Sequence, residues 1–336
     1  MQVVVVTGGA GFIGSHFIKQ LLRSNKEILV VNIDKLTYAG SLNNLAGIEK
    51  KQNYRFVNAD ICNNGEIQAL FDLYKPDYVL NFAAESHVDR SIKDSRAFVE
   101  TNVLGTQVLL QSSLKYQTKK FIQISTDEVY GANAGMKKHD ETAALQPGNP
   151  YAASKAAADL LVMSYCHTYG LPAVITRCSN NFGTNQYKEK LIPLVIDKCL
   201  RGEKIPVYGD GLQMRDWIYV EDHCGAVLRV LEEGRAGEIY NISADNKIQN
   251  LMLIKQIMKH MRHLIPDNDP RKVLINEDLI SFVDDRKGHD RSYHISAQKI
   301  RSELGWAPAH NFDEAFITTI KWYLMNIDSY RSEDNR

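Results

Sequence analysis

Apolar residues run unbroken from Val3 to Val6 and again from Ile28 to Val31, while between them, in FIGSHFIKQLLRS, they return every three to four positions. An unbroken β-branched run that ends in glycines predicts a strand covered on both faces, and the longer period predicts an amphipathic helix. The alternation continues. EILVVNID is a second strand, YRFVNAD a third, PDYVLNFAA a fourth, KKFIQIST a fifth and PAVITRC a sixth, with helical stretches such as AFVETNVLGTQVLLQSSLKY between most of them. Strands alternating with helices predict an α/β fold built on a Rossmann-type, doubly wound parallel sheet. After about residue 180 the pattern loosens into the turn-rich GDGLQMRDW and NISADNKIQN, punctuated by Pro193, Pro206 and Pro266. We expect a dinucleotide-binding domain over residues 1–178, a smaller C-terminal α/β substrate domain over 179–330, and a segment near 216–240 that returns to the first domain. The polar end SYRSEDNR is expected to fray.

Composition narrows the function. Lys+Arg and Asp+Glu both number 40, so there is no basic footprint for nucleic acid or an anionic membrane, and neither is an expected partner. The cysteines are odd in number and scattered, without a CxxC pair, which points to a reducing compartment rather than a disulfide framework or zinc site. MQVVVVTGG lacks a basic n-region and no apolar run is long enough to span a bilayer, so the cytoplasm is the default expectation. His260 and His263 have a spacing that suits a metal but lie on a polar, basic stretch, read as a solvated helix face; no metal is expected.

Three motifs carry chemistry. In TGGAGFIG, Gly8, Gly11 and Gly14 fit GxxGxxG between a strand and a helix, where glycine lets backbone approach a pyrophosphate and the helix N-terminus supplies N–H groups. Such a triplet can be a mere tight turn. Here Asp34 follows at the end of the second strand, placed for the ribose hydroxyls and repelling a 2′-phosphate, so NAD is favoured over NADP. Asn58–Asp60 end the third strand, with Ile61 next, and NFAAES ends the fourth, at the carboxyl edge where such sheets bind ligands; Asp60 also suits a helix cap. In NPYAASK, Asn149 can cap, and Tyr151 and Lys155 share one helical face. A free tyrosine titrates near ~10, and a nearby ammonium plus a nicotinamide's positive charge favour the phenolate. In STDEVYG, Thr126 precedes two adjacent carboxylates, Asp127 and Glu128, which either cap a short helix or divide into an acid and a base because close carboxylates push one pKa upward.

Together these motifs resemble the extended, nucleotide-sugar-modifying branch of the short-chain dehydrogenase/reductase superfamily. Over nearly the whole chain, TGGAGFIGSHF, DKLTYAGSLNNL, NFAAESHVDRSI, STDEVYG, NPYAASKAAAD, RCSNNFG, EKLIP, VYGDG, RDWIYVEDH and DRKGHDRSY resemble the dTDP-glucose 4,6-dehydratase family of dTDP-rhamnose biosynthesis. The resemblance implies an NAD-dependent hydro-lyase with tightly bound NAD, acting at carbons 4, 5 and 6 of the sugar. It implies that Thr126 binds the sugar near its carbon 4 hydroxyl, that Tyr151 and Lys155 carry the oxidation, that Glu128 is the base at carbon 5, and that Asp127 is the acid at carbon 6. It implies a cofactor site of Gly8, Gly11, Phe12, Ile13, Gly14, Asp34, Lys35, Asp60, Ile61, Ala83, Ala84, Ser86, Asn102, Tyr151, Lys155 and Asn180. It implies substrate contacts from Ser86, His87, Thr126, Asn181, Glu189, Lys190, Leu191, Pro206, Tyr208, Arg215, Asn250, Arg286 and His289. Taken singly, each arginine reads as a surface charge. AFVETNVLGTQVLLQSSL and AAADLLVMSYCHTY are apolar over more than one face, and the resemblance implies a homodimer packed through those helices. Thr184 and Ser292 depart from the family pattern. The alternatives are a UDP-glucose 4,6-dehydratase, a nucleotide-sugar 4-epimerase, which has no need of Asp127, and a non-catalytic NAD-binding regulator, which usually loses the tyrosine or lysine.

Overall fold

In the computed structural model, residues 1–133 and 138–332 are described. The long apolar runs pair as parallel strands: β1 (Gln2–Thr7), β2 (Ile28–Ile33), β3 (Tyr54–Val57), β4 (Tyr78–Asn81), β5 (Lys120–Thr126) and β6 (Ala173–Cys178). Among the described residues they form, with β10 (Ile239–Ile242), a seven-stranded sheet in the order β10-β6-β5-β4-β1-β2-β3. The order reverses beside β1, and the glycine turn, the acid pair and the fourth strand's end all lie at the carboxyl edge where such sheets place ligands. The central strands are buried on both faces. Val4, Val6, Leu80 and Ile122 pack against the helices Phe12–Ser24 and Val220–Glu233 on one side, while Val5, Val31, Val79 and Phe121 pack against Asn64–Tyr74, Thr106–Lys115 and Pro150–Tyr169 on the other.

Beyond β6 the chain leaves the sheet. β7 (Asn180–Phe182), β9 (Met214–Tyr219) and β11 (Lys247–Gln249) make a three-stranded sheet, and β8 (Ile205–Tyr208) pairs with β12 (Ile280–Val283). A separate core of Phe182, Val195, Trp217, Leu253, Ile257, Phe316 and Tyr323 lies under them. The returning segment is the helix Val220–Glu233 followed by β10, whose Ile239 pairs with Ile175; Asp216 to Tyr219 stay with β9 in the smaller sheet. The chain returns once more with Ala297, Ile300, Leu304 and Trp306, which pack into the first core.

Three local readings change. The helix expected over AFVETNVLGTQVLLQSSLKY is widened into a π-helix at Val99–Gly105. The wide turn seats Gly105 on Ile61, where a Cβ would stand 2.5 Å from the isoleucine Cδ1, and lets Asn102 reach the backbone of Glu85. His260 is half-buried with its ring edge-on to Phe316, so it is a packing residue rather than a solvated one. The final helix, Phe312–Ser332, carries the backbone of the first half of the tail expected to fray; residues 333–336 lie outside the described residues.

Candidate active site

A cleft of ≈ 360 Å³ opens at the carboxyl edge of the sheet. Its floor is the glycine turn. Gly8 has φ +68°, and a Cβ on it would lie 2.6 Å from the Ala83 nitrogen; one on Gly14 would lie 2.4 Å from the Gly8 carbonyl oxygen. Only glycine lets β1, the β4 end and the helix approach this closely. Gly11 is the N-cap of the helix Phe12–Ser24, and neither a side-chain cap nor an acidic residue occupies that first turn. N–H groups at a helix start whose first turn holds no acidic residue suit a pyrophosphate, so the turn fits a dinucleotide. Asp34 accepts from the Ala10 nitrogen at 2.9 Å and the Leu36 nitrogen at 2.8 Å, which fixes its carboxylate at the cleft wall; burial raises its pKa. Lys35, Ile61, Ala83, Ala84, Ser86 and Asn180 also line the wall.

Two expected cofactor residues stand outside the wall. Asp60 pairs with Lys35 at 3.2 Å and accepts from the Cys62 nitrogen at 2.9 Å, which fixes the turn before the helix Asn64–Tyr74; the cap of that helix is Asn63, not Asp60. Asn102 is buried behind the wall, bonded to Glu85 N (2.9 Å), Glu85 O (3.0 Å) and Ser154 Oγ (2.8 Å), and so it shapes the 83–86 loop from behind.

The chemistry gathers at the end of β5. Thr126 caps a four-residue 3₁₀ turn, Asp127–Tyr130, by accepting from the Glu128 nitrogen. Capping and catalysis are therefore not rivals, since the cap presents the pair. Asp127 is buried, its Oδ2 has no hydrogen-bond partner among the described residues, and burial pushes its carboxyl well above the usual range, with Glu128 and Asp216 adding and Arg215 opposing. Glu128 Oε2 lies 3.3 Å from Asn149 Nδ2 and 3.3 Å from the Tyr293 hydroxyl. Burial thus favours the protonated form of one carboxyl, while hydrogen bonds hold the other, the kind of separation an acid and a base require.

The helix Pro150–Tyr169 starts where Asn149 Oδ1 accepts from the Ala152 nitrogen, which aims Tyr151 and Lys155 from its first turns at the same cleft. Burial, then the charges of Glu128 and Cys178, push the Tyr151 phenol well above its ordinary value, while Thr126 opposes. Lys155 Nζ donates to the Ile124 carbonyl at 2.6 Å, and burial lowers its pKa. The expected help from this ammonium is outweighed here by desolvation.

The substrate residues divide. Ser86, Thr126, Asn181, Lys190 and Leu191 line the cleft, and Lys190 Nζ donates to the Ser86 carbonyl at 3.0 Å. His87 and Glu189 sit beside it, 3.7 Å apart, with Arg90 3.0 Å from Glu189. Tyr208, Arg286 and His289 form a second cluster around Asp89 and Asp285: the Tyr208 hydroxyl is 3.3 Å and Arg286 Nη1 3.6 Å from Asp89, and His289 pairs with Asp285. Pro206 lies on β8 against Ser281, and the Asn250 nitrogen donates to the Gln213 carbonyl. Arg215 is no surface charge. It is 5% exposed, stacks 4.5 Å above the Tyr293 ring, and donates to the Asp290 carbonyl at 3.0 Å. Thr184 meets His16 of the glycine-loop helix through its carbonyl, and the Ser292 carbonyl accepts from Asn133.

Sequence reasoning missed Gln186, Tyr187 and Trp217 in the wall, and the roles of Asn149 and Tyr293 beside Glu128. Asn149 was visible only as a cap. Tyr293 closes the motif DRKGHDRSY, but nothing local ties it to a residue far upstream.

The chain matches the GDP-mannose 4,6 dehydratase family model over residues 5–319. It is 47% identical to a dTDP-glucose 4,6-dehydratase of Xanthomonas campestris pv. campestris (strain B100), over 97% of this chain and 94% of that one. The structure of DesIV, a dTDP-glucose 4,6-dehydratase from Streptomyces venezuelae solved with NAD bound, superposes with a TM-score of 0.92 at 40% identity, covering 99% of this chain and 100% of the other. A UDP-glucose 4-epimerase from Thermotoga maritima superposes at 0.86 but is 28% identical, covering 97% of this chain and 100% of that one.

Proposed function

Since the chain belongs to the GDP-mannose 4,6-dehydratase family, and within it to the dTDP-glucose 4,6-dehydratases, we propose that it converts dTDP-glucose to dTDP-4-keto-6-deoxyglucose with Thr126, Asp127, Glu128, Tyr151 and Lys155 as its catalytic set. The observation that carries this is the buried Asp127, its Oδ2 without a partner among the described residues, beside the hydrogen-bonded Glu128 in the cleft that also holds Tyr151.

NAD, held by Gly8, Gly11, Gly14, Asp34 and Lys155, supplies the hydride acceptor and donor and a positive ring that favours the Tyr151 phenolate. Thr126 orients the carbon 4 hydroxyl, and Tyr151 takes its proton. Glu128 removes the proton at carbon 5, made acidic by the ketone at carbon 4, while Asp127 delivers its proton to the carbon 6 hydroxyl and water leaves. Asp127 is 3% exposed at the base of the cleft, which limits solvent at that step. Arg215, Arg286 and His289, with Tyr208, take the nucleotide and its diphosphate.

Incubation with dTDP-glucose tests the reading: a 4-keto-6-deoxy product supports it, and dTDP-galactose or no turnover overturns it. The turnover of UDP-glucose beside that of dTDP-glucose measures the base preference. Asp34→Ala is expected to weaken NAD binding and to relax discrimination against NADP, as read by titration calorimetry; unchanged NAD affinity would remove Asp34 from the ribose. Val99, Leu104 and Leu160 are exposed on the two apolar helices, which supports a homodimer formed there. Light scattering at micromolar concentration is expected to give the dimer mass, and a monomer mass would refute it.

A further inference from the structure

Tyr293 is 3% exposed and belongs to no step described so far. Its hydroxyl lies 2.7 Å from Asp290 Oδ2 and 3.3 Å from Glu128 Oε2. The contact is built into the fold. A Cβ on Gly148 would stand 2.9 Å from both Asp290 carboxylate oxygens, so the bare backbone there is what admits Asp290 beside Asn149. Gly288, at φ +66°, has its Cα face against the Gly148 carbonyl, where a Cβ would come within 2.7 Å. The loop 285–293 is thereby pressed onto the segment that starts the helix Pro150–Tyr169, and the Arg215 guanidinium covers the Tyr293 ring from the other side.

A phenol carries a single proton. The shorter contact, to a carboxylate, takes it, so Tyr293 donates to Asp290 and turns its oxygen lone pairs toward Glu128. An oxygen lone pair facing a carboxylate oxygen is a hydrogen bond only when the carboxyl holds a proton. Asn149, which donates to the same Oε2, serves the ionised form of Glu128 instead. We infer that Tyr293, backed by Asp290, is a positioning residue that accepts a hydrogen bond from Glu128 once Glu128 has taken the carbon 5 proton. This rests on Glu128 being that base. The balance is simple: the carbon 5 proton moves to Glu128, its electron pair forms the carbon 5–carbon 6 double bond, the carbon 6 hydroxyl leaves as water with the Asp127 proton, and Tyr293 neither gains nor loses a proton. The other groups that face Glu128 are Asp127, Tyr151 and Lys190, with Arg215 and Asp290 behind Tyr293.

Tyr293→Phe removes the oxygen and keeps the ring. It is expected to slow elimination about 2–10-fold, the net worth of one hydrogen bond between uncharged groups, with KM changed by less than about threefold. Oxidation is expected to be unchanged, so reduced nicotinamide absorbance rises and lingers in a single turnover. The sign of the pH effect follows from the donor direction. Protonated Glu128 loses its acceptor, the ionised form gains by comparison, and the acid limb of the elimination profile moves to lower pH. Asp290→Asn, which releases the Tyr293 proton to turn toward Glu128, is expected to move the limb the same way and carries the test should Tyr293→Phe fail to fold. An unmoved limb with no lingering absorbance, or oxidation and elimination slowed alike, overturns the inference. Glu128→Gln separates the two readings: if it too leaves elimination intact, the base assignment fails; if it blocks elimination while Tyr293→Phe does not, only the role of Tyr293 fails.

Discussion

Asp127→Asn is expected to slow elimination by about 10²–10⁴-fold, the usual worth of a general acid, while the first hydride transfer survives. The substitution keeps the shape and removes a carboxyl that burial pushes well above the usual range. In a single turnover with dTDP-glucose, absorbance of the reduced nicotinamide should appear at its ordinary rate and decay slowly. The pH dependence has a definite sign. Because the folded pKa of Asp127 is raised, the acid is present below that value and lost above it, so the native enzyme's elimination rate falls as pH rises through it. The same shift means that the native state gives up stability as pH rises from the unfolded toward the folded pKa. Asp127→Asn should therefore be the more heat-resistant protein at neutral pH, a gain readable by calorimetry. Dehydration at the unmutated rate would remove Asp127 from the chemistry.

Tyr151→Phe is expected to fall by a similar about 10²–10⁴-fold, but one step earlier, so that no reduced nicotinamide appears at all. The phenol is buried, its ring packs edge-on to Phe98, and its own backbone nitrogen is tied to Ser91 Oγ at 3.2 Å, so phenylalanine fits without rearrangement. Substrate affinity should be nearly unchanged, which calorimetry with dTDP-glucose checks. The contrast between the two variants, an early block against a late one, assigns oxidation and elimination to different side chains. Equal transients in both would show that Tyr151 is not the base at carbon 4.

The parts of this site that could be read in the chain are those whose partners are close in sequence or at strand ends. Gly8, Gly11, Gly14 and Asp34 follow from the strand-turn-helix-strand order, and Tyr151 with Lys155 from a helical period. Six sheet strands are plain because they follow one another in a strand–helix alternation; the seventh, β10, is reached only after the chain has built the smaller domain and reads as one more turn-bounded fragment. Contacts that join distant segments left no local mark. Asn102 resembles a wall residue until the π-helix turns it behind the loop, and Arg215 resembles a surface charge until Tyr293 covers it.

The long excursion between β6 and β10 bears on how the chain is made. All six residues of β6 are buried, yet its outer edge waits for Ile239 to arrive. At ~5–20 residues per second of synthesis, the intervening stretch of about 60 residues leaves that apolar edge open for several seconds. An open, flat, hydrophobic edge is a template for pairing with another nascent chain. Fragments that stop before Ile239 would keep it open permanently and should aggregate, whatever the quality of their glycine loop.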